Sequence, residues 1–429
     1  MEGDILSSRE KLSNLVKELS MDGAVLSIHS NIPGPYKSVK EAYLILGVFT
    51  RILSKNTPIK EYHIESSDGP VNVQILTNSK YLKEECMSLE ETHPLGRFVD
   101  LDVVINGDVE TRKELRKCYL CDKPAFVCSK EHNHTYSDLL KYVREHAKEY
   151  LRDRVLSNLY EAITDEIDLD PKFGLVTPKS SGSHKDMDYK TMYLARDAII
   201  PYLLEMFDVG FSRDDLKEIF NSIRQIGLVA EAKMYEDTGG INAYKGLIFD
   251  LGLICASIGY KISRNTKDSI YEIVSKMCDG ILDEFNSCEN TFGIEAYKKY
   301  KIGGARKEAA SGFKSIQSVI NDLDLNDKST WTMVLAKLIS ISDDTILLKR
   351  CGSLEKYIEV KQMFKDFNGD IDEMTAYCIK NNLSFGGSAD LLAVSLFIKL
   401  MENEFDLNKN NIEEISLWEK SRQLLLPKK

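Results

Sequence analysis

Near residue 140 the hydrophobic pattern of this 429-residue chain changes period, and that change limits the folds open to it. Before it, strand and turn signals dominate. Residues 24–28 form a short apolar run that closes in the turn Asn31-Ile32-Pro33-Gly34-Pro35. Residues 71–76 alternate apolar and polar side chains over most of their length. Residues 98–105 lead into Asn106-Gly107 and Val109, a hairpin signal. Helical spacing covers 39–53 and 79–91. This region is expected to be α+β or α/β.

After the change, helical spacing takes over. Leu216, Ile219, Phe220, Ile223, Ile226, Ala230 and Met234 lie three or four apart, one face of a helix over 214–234. Ser212 with Asp215 reads as a capping box at its start. Residues 189–206, 244–258, 266–284 and 389–402 repeat the pattern, and no strand set stands out. The second region is expected to be all-α. The join, over 136–162, is itself helical in pattern, which predicts two domains, 1–142 and 143–429, without a flexible linker.

Composition narrows the function. With 43% hydrophobic residues the chain can build more than one core, so disorder over most of its length is excluded. The longest apolar stretch, 246–260, is broken by Asp250 and is shorter than the roughly 20 residues a spanning helix needs. A net charge of −11 opposes a nucleic-acid partner. The acidic start Met1-Glu2-Gly3-Asp4 lacks the basic residues of a secretory signal, so a cytoplasmic protein with no membrane partner is expected. The nine cysteines are odd in number, and Cys255, Cys278 and Cys378 sit among apolar residues, as reduced thiols do.

Three constellations carry chemistry. In Gly96-Arg97-Phe98-Val99-Asp100-Leu101-Asp102-Val103-Val104, strand geometry puts Asp100 and Asp102 side by side and turns Val99, Leu101 and Val103 to the core. Two such carboxylates repel unless one is protonated or a cation lies between them. Mg²⁺ holding a phosphate resolves the repulsion, with Arg97 adding charge, and a solvated strand face is the alternative. His93, just upstream, reads as a turn or surface histidine.

Cys118, Cys121 and Cys128, with His132 and His134 beyond, offer a Cys₃His zinc site through His134, or else free thiols in a tight loop. In the helical region, Gly239-Gly240, Gly303-Gly304 and Gly386-Gly387 each open a helix-like run. Helix starts with glycine receive anions, and Lys245, Arg306 and Arg350 lie near in sequence. Asp186, Asp188, Glu231, Glu236, Asp237, Asp343 and Asp344 recur beside them. Together these suggest a metal–triphosphate site lined by helices; singly they read as interhelical turns and wet helix faces.

Those runs resemble a known family. Gly174-Leu175-Val176 through Ser181-Gly182-Ser183-His184-Lys185-Asp186-Met187-Asp188 is similar to the opening motif of the triphosphoribosyl-dephospho-coenzyme A synthases. So are Thr238-Gly239-Gly240-Ile241-Asn242 with Lys245-Gly246, the run from Gly303 to Phe313, and Gly386-Gly387-Ser388-Ala389-Asp390. This likeness covers 151–400. Residues 27–140 resemble the citrate lyase holo-acyl-carrier-protein synthases, through Asn31 to Lys37, Glu90 to Asp102, and Arg116 to Cys121 with Cys128. The chain departs from the synthase pattern at Tyr244, Ile346 and Cys351.

The resemblance implies a nucleotidyltransferase-like first domain in which Asp100 and Asp102 hold Mg²⁺. It implies that the helical domain joins ATP to dephospho-coenzyme A with loss of adenine, and that the first domain attaches the product to a serine of the apo citrate lyase acyl-carrier subunit. Nucleotide binding would fall to Lys185, Gly239, Gly240, Asn242, Lys245, Gly303, Gly304, Arg306, Asp344, Arg350, Gly386, Gly387, Ser388 and Asp390. Asp186, Asp188 or Glu231 would take the hydroxyl proton. Competing readings are service to malonate decarboxylase, an N-glycosidic-bond hydrolase, and a carrier-protein chaperone without chemistry.

Overall fold

The computed structural model describes residues 2–21, 23–77, 81–109, 115–286, 291–367, 369–405, 407 and 414–416. It divides into two compact units, Met1–Asp153 with Asn403–Lys429, and Arg154–Glu402.

The first unit is α+β. Its strands are β1 (Ala24–Ser30), β2 (Lys60–Glu65), β3 (Val71–Leu76), β4 (Val99–Ile105), β5 (Asp108–Val109) and β6 (Glu414–Ser416), in the order β5-β4-β1-β3-β2-β6. All neighbours are antiparallel except β2 and β6. Its helices are α1 (Glu2–Leu19), α2 (Lys40–Leu53), α3 (Leu82–Thr92), α4 (Ala125–Lys130) and the start of α5 (Tyr136–Asp168). Residues 79 and 80, which the helical spacing included, lie outside the described residues.

Leu15, Val16 and Leu19 of α1 join Val25, Val71, Val73, Ile75 and Val104 in one core cluster on the sheet. The alternation in β3 suggests one wet face, but both faces are covered: Asn72 and Gln74 are as buried as their apolar neighbours. The Asn106-Gly107 turn forms as expected, with both φ values positive and a β4–β5 pairing.

The second unit is all-α. After α5 come α6 (Tyr189–Ser212), α7 (Leu216–Asp237), α8 (Lys245–Arg264), α9 (Ile270–Met277), α10 (Phe292–Tyr300) and α11 (Gly304–Ala310). Then follow α12 (Lys314–Val319), α13 (Lys328–Ile341), α14 (Thr345–Cys351), α15 (Leu354–Lys365), α16 (Ile371–Lys380) and α17 (Gly386–Glu402). The expected Ser212 capping box does not form. Asp215 itself caps α7, accepting from the Glu218 amide at 2.8 Å, while Ser212 ends α6 and bonds back to the Asp208 carbonyl at 2.5 Å. Asp215 already satisfies an end amide of α7, so Ser212 is not needed there.

Helix α8 is the core helix of this unit. It is long and apolar enough to span a membrane, yet most of it is buried, and it packs against α6, α7 and α17. Its crossing with α6 is backbone to backbone. A Cβ on Gly210 would fall 2.0 Å from the Ala256 carbonyl oxygen, so only glycine allows that approach.

A buried ion pair also anchors the unit. Lys172 Nζ lies 2.9 Å from Glu166 Oε1 and donates to the Glu166 and Ile167 carbonyls, with both side chains nearly inaccessible. Removing one partner strands the other charge in the interior. Lys172→Met is therefore expected to cost about 3–5 kcal/mol, read from the urea midpoint. A cost like that of a surface pair, about 0–1 kcal/mol, would refute this.

Candidate active site

In the first unit the strand register builds the site. Asp100 stands opposite His29 on β1 and Asp102 opposite Ser27, so both carboxylates share a face with those residues, while Val99, Leu101 and Val103 are buried. Arg116 ties Asp100 down. Its Nη1 is 2.9 Å from Asp100 Oδ1, and its Nη2 donates at 2.7 Å to both Glu90 Oε1 and the Val99 carbonyl. Glu90 is buried and also accepts from the Leu101 amide at 3.0 Å.

A second acid braces the other side. Arg9 grips buried Asp68 through Nε at 2.7 Å and Nη2 at 3.0 Å, and His29 Nε2 meets the Asp68 carbonyl at 2.7 Å. Asp102 is exposed, but the protein packed around it raises its pKa. The Asp100 charge adds to that rise, against the opposing pull of Lys83, His29 and Arg116. Lys37 lies in the same field. Burial lowers its pKa while Asp68 and Asp100 pull it upward, and it lines a cavity of about 260 Å³ together with Pro35, Tyr36 and Ser38.

Arg97 is turned to structural work, donating to the Cys118 carbonyl at 2.8 Å and to the Lys117 carbonyl at 3.2 Å. His93 sits in the turn after α3, its Nδ1 accepting from the Leu95 amide at 3.1 Å. The Cys118, Cys121, Cys128 and His134 ligand atoms come together; His132 is not among them. Arg116, Glu90, Asp68 and His29 have roles that only the fold displays. Arg116 and Glu90 stand inside the motifs that carry the family resemblance, but Asp68 sits in the β2–β3 connection with no sequence signal.

In the second unit, motifs far apart in sequence meet around the start of α17. The carboxylate of Asp390 fills the space where a Cβ on Gly246 would stand, its Oδ2 only 2.3 Å from that point. Gly387 abuts the Asp344 carboxylate, and Gly304 abuts Thr345. The first motif arrives from another side. His184 Nε2 bonds Ser384 Oγ at 2.9 Å, and Ser183 Oγ reaches the Cys378 carbonyl at 3.4 Å. Arg350 donates to Asn382 at 2.9 Å, just ahead of the same helix start, and its charge joins burial in lowering the His184 pKa.

Several expected ligands turn out to be occupied. Asp344 caps α14, taking the Ile346 and Leu347 amides on one oxygen and the Ser388 amide and hydroxyl on the other, so it staples α14 to α17. Asp188 caps α6 in a reciprocal box with Thr191, and those bonds hold its pKa low. Arg306 pairs with Glu284 at 3.4 Å. Asp343 holds Lys307 at 2.8 Å and the Gly303 amide at 3.1 Å.

Glu231 and Lys245 pair at 2.6 Å, the Gly239-Gly240 turn is exposed, and the Asn242 side chain accepts from the Lys245 amide at 3.2 Å. Lys185 and Asp186 are exposed, Asp186 lying 3.8 Å from His184 Nδ1. Asp390 is set apart from them. Burial first, and the charges of Asp250, Glu166 and Asp344 after it, raise its pKa well above the carboxylate range.

Two family models, one over the helical unit and one over the α+β unit, identify a bifunctional transferase. The chain belongs to the ATP:dephospho-CoA triphosphoribosyl transferase family, whose model matches residues 152–409, and it carries an apo-citrate lyase phosphoribosyl-dephospho-CoA transferase domain, matched over residues 3–150. Protein CitXG of Leuconostoc mesenteroides subsp. cremoris is 30% identical over 92% of this chain and 96% of its own length. Protein CitXG of Haemophilus influenzae is 30% identical over 75% of this chain and 77% of its own length. The 2-(5''-triphosphoribosyl)-3'-dephosphocoenzyme-A synthase of Haemophilus ducreyi is 30% identical over 65% of this chain and 98% of its own length.

Proposed function

We propose that this chain makes the citrate lyase prosthetic-group precursor and attaches it to the carrier subunit, in the cytoplasm where ATP and dephospho-coenzyme A are held. The observation that carries this reading is the order of the two family matches along one chain, each over a unit that holds the matching motifs.

In the helical unit a ribose hydroxyl oxygen of dephospho-coenzyme A bonds to C1 of the ATP ribose. The bond from C1 to adenine breaks, the hydroxyl proton goes to a carboxylate, and adenine leaves with the electron pair and takes up a proton. The triphosphate stays on the sugar. A transition state of oxocarbenium character needs a nearby anion. Asp390 suits both tasks better than Asp186, Asp188 or Glu231. Burial raises its pKa above the ordinary carboxylate value, which makes it the stronger base once ionised, whereas Asp188 caps α6, Glu231 pairs with Lys245, and Asp186 is exposed. The start of α17 would hold the phosphates, and Lys245 would add its charge on leaving Glu231.

In the first unit, read as nucleotidyltransferase-like, a carrier serine oxygen bonds to the phosphorus nearest the ribose and pyrophosphate leaves. Asp100 and Asp102 fit a hard cation, because the Asp100 charge raises the cost of the Asp102 charge and Asp102 is open to solvent. Bound Mg²⁺ would supply positive charge to the phosphates there. Arg116 fixes Asp100 in place, and Lys37 offers a further positive group.

The test is direct. The chain, ATP, Mg²⁺, dephospho-coenzyme A and apo-carrier are incubated together, and the carrier is weighed by mass spectrometry. The expected result is a carrier heavier by one phosphoribosyl-dephospho-coenzyme A, with free adenine released. Free ribose triphosphate without labelling would point to a hydrolase, and carrier binding with neither product would point to a chaperone.

A further inference from the structure

Four ligand-type atoms converge in the first unit apart from the aspartate pair. The Sγ atoms of Cys118, Cys121 and Cys128 and a ring nitrogen of His134 all lie within 4.8 Å of one another. Cys121 and Cys128 are 3.9 Å apart at sulfur. A disulfide would hold them at about 2.05 Å. Two thiolates each about 2.3 Å from one tetrahedral ion stand roughly 3.8 Å apart. The observed separation is too long for a sulfur–sulfur bond and matches the edge of a metal–thiolate tetrahedron.

The histidine supplies an independent observation. Its Nε2 is buried and makes no hydrogen bond. A buried ring nitrogen without a partner is costly, and a metal ion removes that cost. The loop is already folded for the purpose. Cys118 donates its amide to the Lys123 carbonyl at 2.8 Å, Cys128 to the Pro124 carbonyl at 3.0 Å, and the Asn133 amide returns to the Cys128 carbonyl at 3.2 Å. Three sulfurs and one nitrogen with no oxygen ligand select zinc over magnesium or calcium.

The same loop carries the residue that fixes the aspartate site. Arg116 stands two residues before Cys118, and its carbonyl takes the Ala125 amide at 2.8 Å, while its guanidinium holds Asp100. Tyr119, inside the Cys-x-x-Cys turn, donates its hydroxyl to the Asn31 carbonyl at 2.8 Å, and Arg97 clasps the Cys118 carbonyl. We propose that Cys118, Cys121, Cys128 and His134 bind one Zn²⁺ in a closed tetrahedral site, and that this ion holds the loop so that Arg116 meets Asp100. Three thiols release their protons to solvent on binding and the imidazole enters neutral. The positioning role rests on the transferase reading above; the metal site does not.

The full chain, dialysed against metal-free buffer, is expected to keep one zinc by elemental analysis. Its cobalt-exchanged form should show thiolate-to-cobalt charge transfer and the strong visible bands of a tetrahedral ion. Cys121→Ser should lower zinc retention by at least about tenfold, the cost of losing even an outer-shell partner, and should slow carrier labelling while adenine release continues. Cys121→His, which returns a ligand atom, should regain zinc and labelling together.

A chain that keeps no zinc when reconstituted with zinc alone, or whose cobalt form lacks the charge-transfer band, overturns the metal site. Full labelling by a zinc-free Cys121→Ser chain overturns the positioning role. Zinc bound in a wild-type chain that never labels the carrier leaves the metal site standing and removes the transferase reading.

Discussion

Asp102→Ala is expected to stop carrier labelling, while adenine release from ATP and dephospho-coenzyme A continues at the wild-type rate. The two carboxylates stand next-but-one on β4, on the face they share with Ser27 and His29, and Asp102 is exposed while Asp100 is held by Arg116. A site that neutralises a phosphoryl group loses on the order of 10²–10³ in rate when one of its preorganised charges is removed. Asp100→Ala should match that loss and also leave Arg116 without one of its acids, so Asp102 is the cleaner probe. Labelling is read by carrier mass with purified intermediate supplied, and adenine by chromatography. Equal loss of both activities in a folded Asp102→Ala chain would contradict two separate sites. Unimpaired labelling would remove the aspartate pair from the chemistry.

Much of this arrangement could be read from the residues. Val99-Asp100-Leu101-Asp102-Val103 declared its strand and its two faces, because a period of two leaves little freedom when one face is buried. The Asn106-Gly107 hairpin followed from turn chemistry alone. Strand β2 did not declare itself. Only Ile64 of its six residues is fully buried, and its place is set by pairing with β3, a tertiary fact. Asn72 and Gln74 are buried although the strand alternates, since alternation reports chemistry and not what covers a face.

In the helical unit the glycine motifs were visible, but their partners were not. Contacts such as Gly246 with Asp390, or Gly387 with Asp344, join positions far apart in sequence and need the fold to exist. The candidate bases Asp186, Asp188 and Glu231 differ in settings that only the fold displays. Asp188 followed three residues later by Thr191 carries its own capping signal, and the cap bonds on its Oδ1 hold its pKa low, which makes it a weaker base. Asp390 gave no sign of its setting, because its raised pKa comes from burial and from acids contributed by other helices.

That setting makes the second large effect. Asp390→Asn is expected to slow adenine release by on the order of 10²–10⁴, the range for loss of a positioned general base, while labelling from supplied intermediate is unchanged. The pH dependence separates a base from a mere structural acid. A base works when ionised, so release should rise with pH through a limb placed above the ordinary carboxylate value of about 4, and the asparagine variant should lack that limb.

Stability runs the other way. A carboxylate whose folded pKa is raised binds its proton more tightly in the native state, so stability falls as pH climbs from about 4 toward the folded value. Asp250, also raised by burial, adds the same slope. Asp390→Asn should therefore flatten part of that fall and be no less stable near neutrality, which excludes unfolding as the cause of lost activity. Gly246→Ala supplies the steric counterpart, since its Cβ would stand 2.3 Å from the Asp390 carboxylate and must displace it. Adenine release should drop in that variant as well. If both variants release adenine at the wild-type rate, the catalytic carboxylate lies elsewhere among the acids around α17.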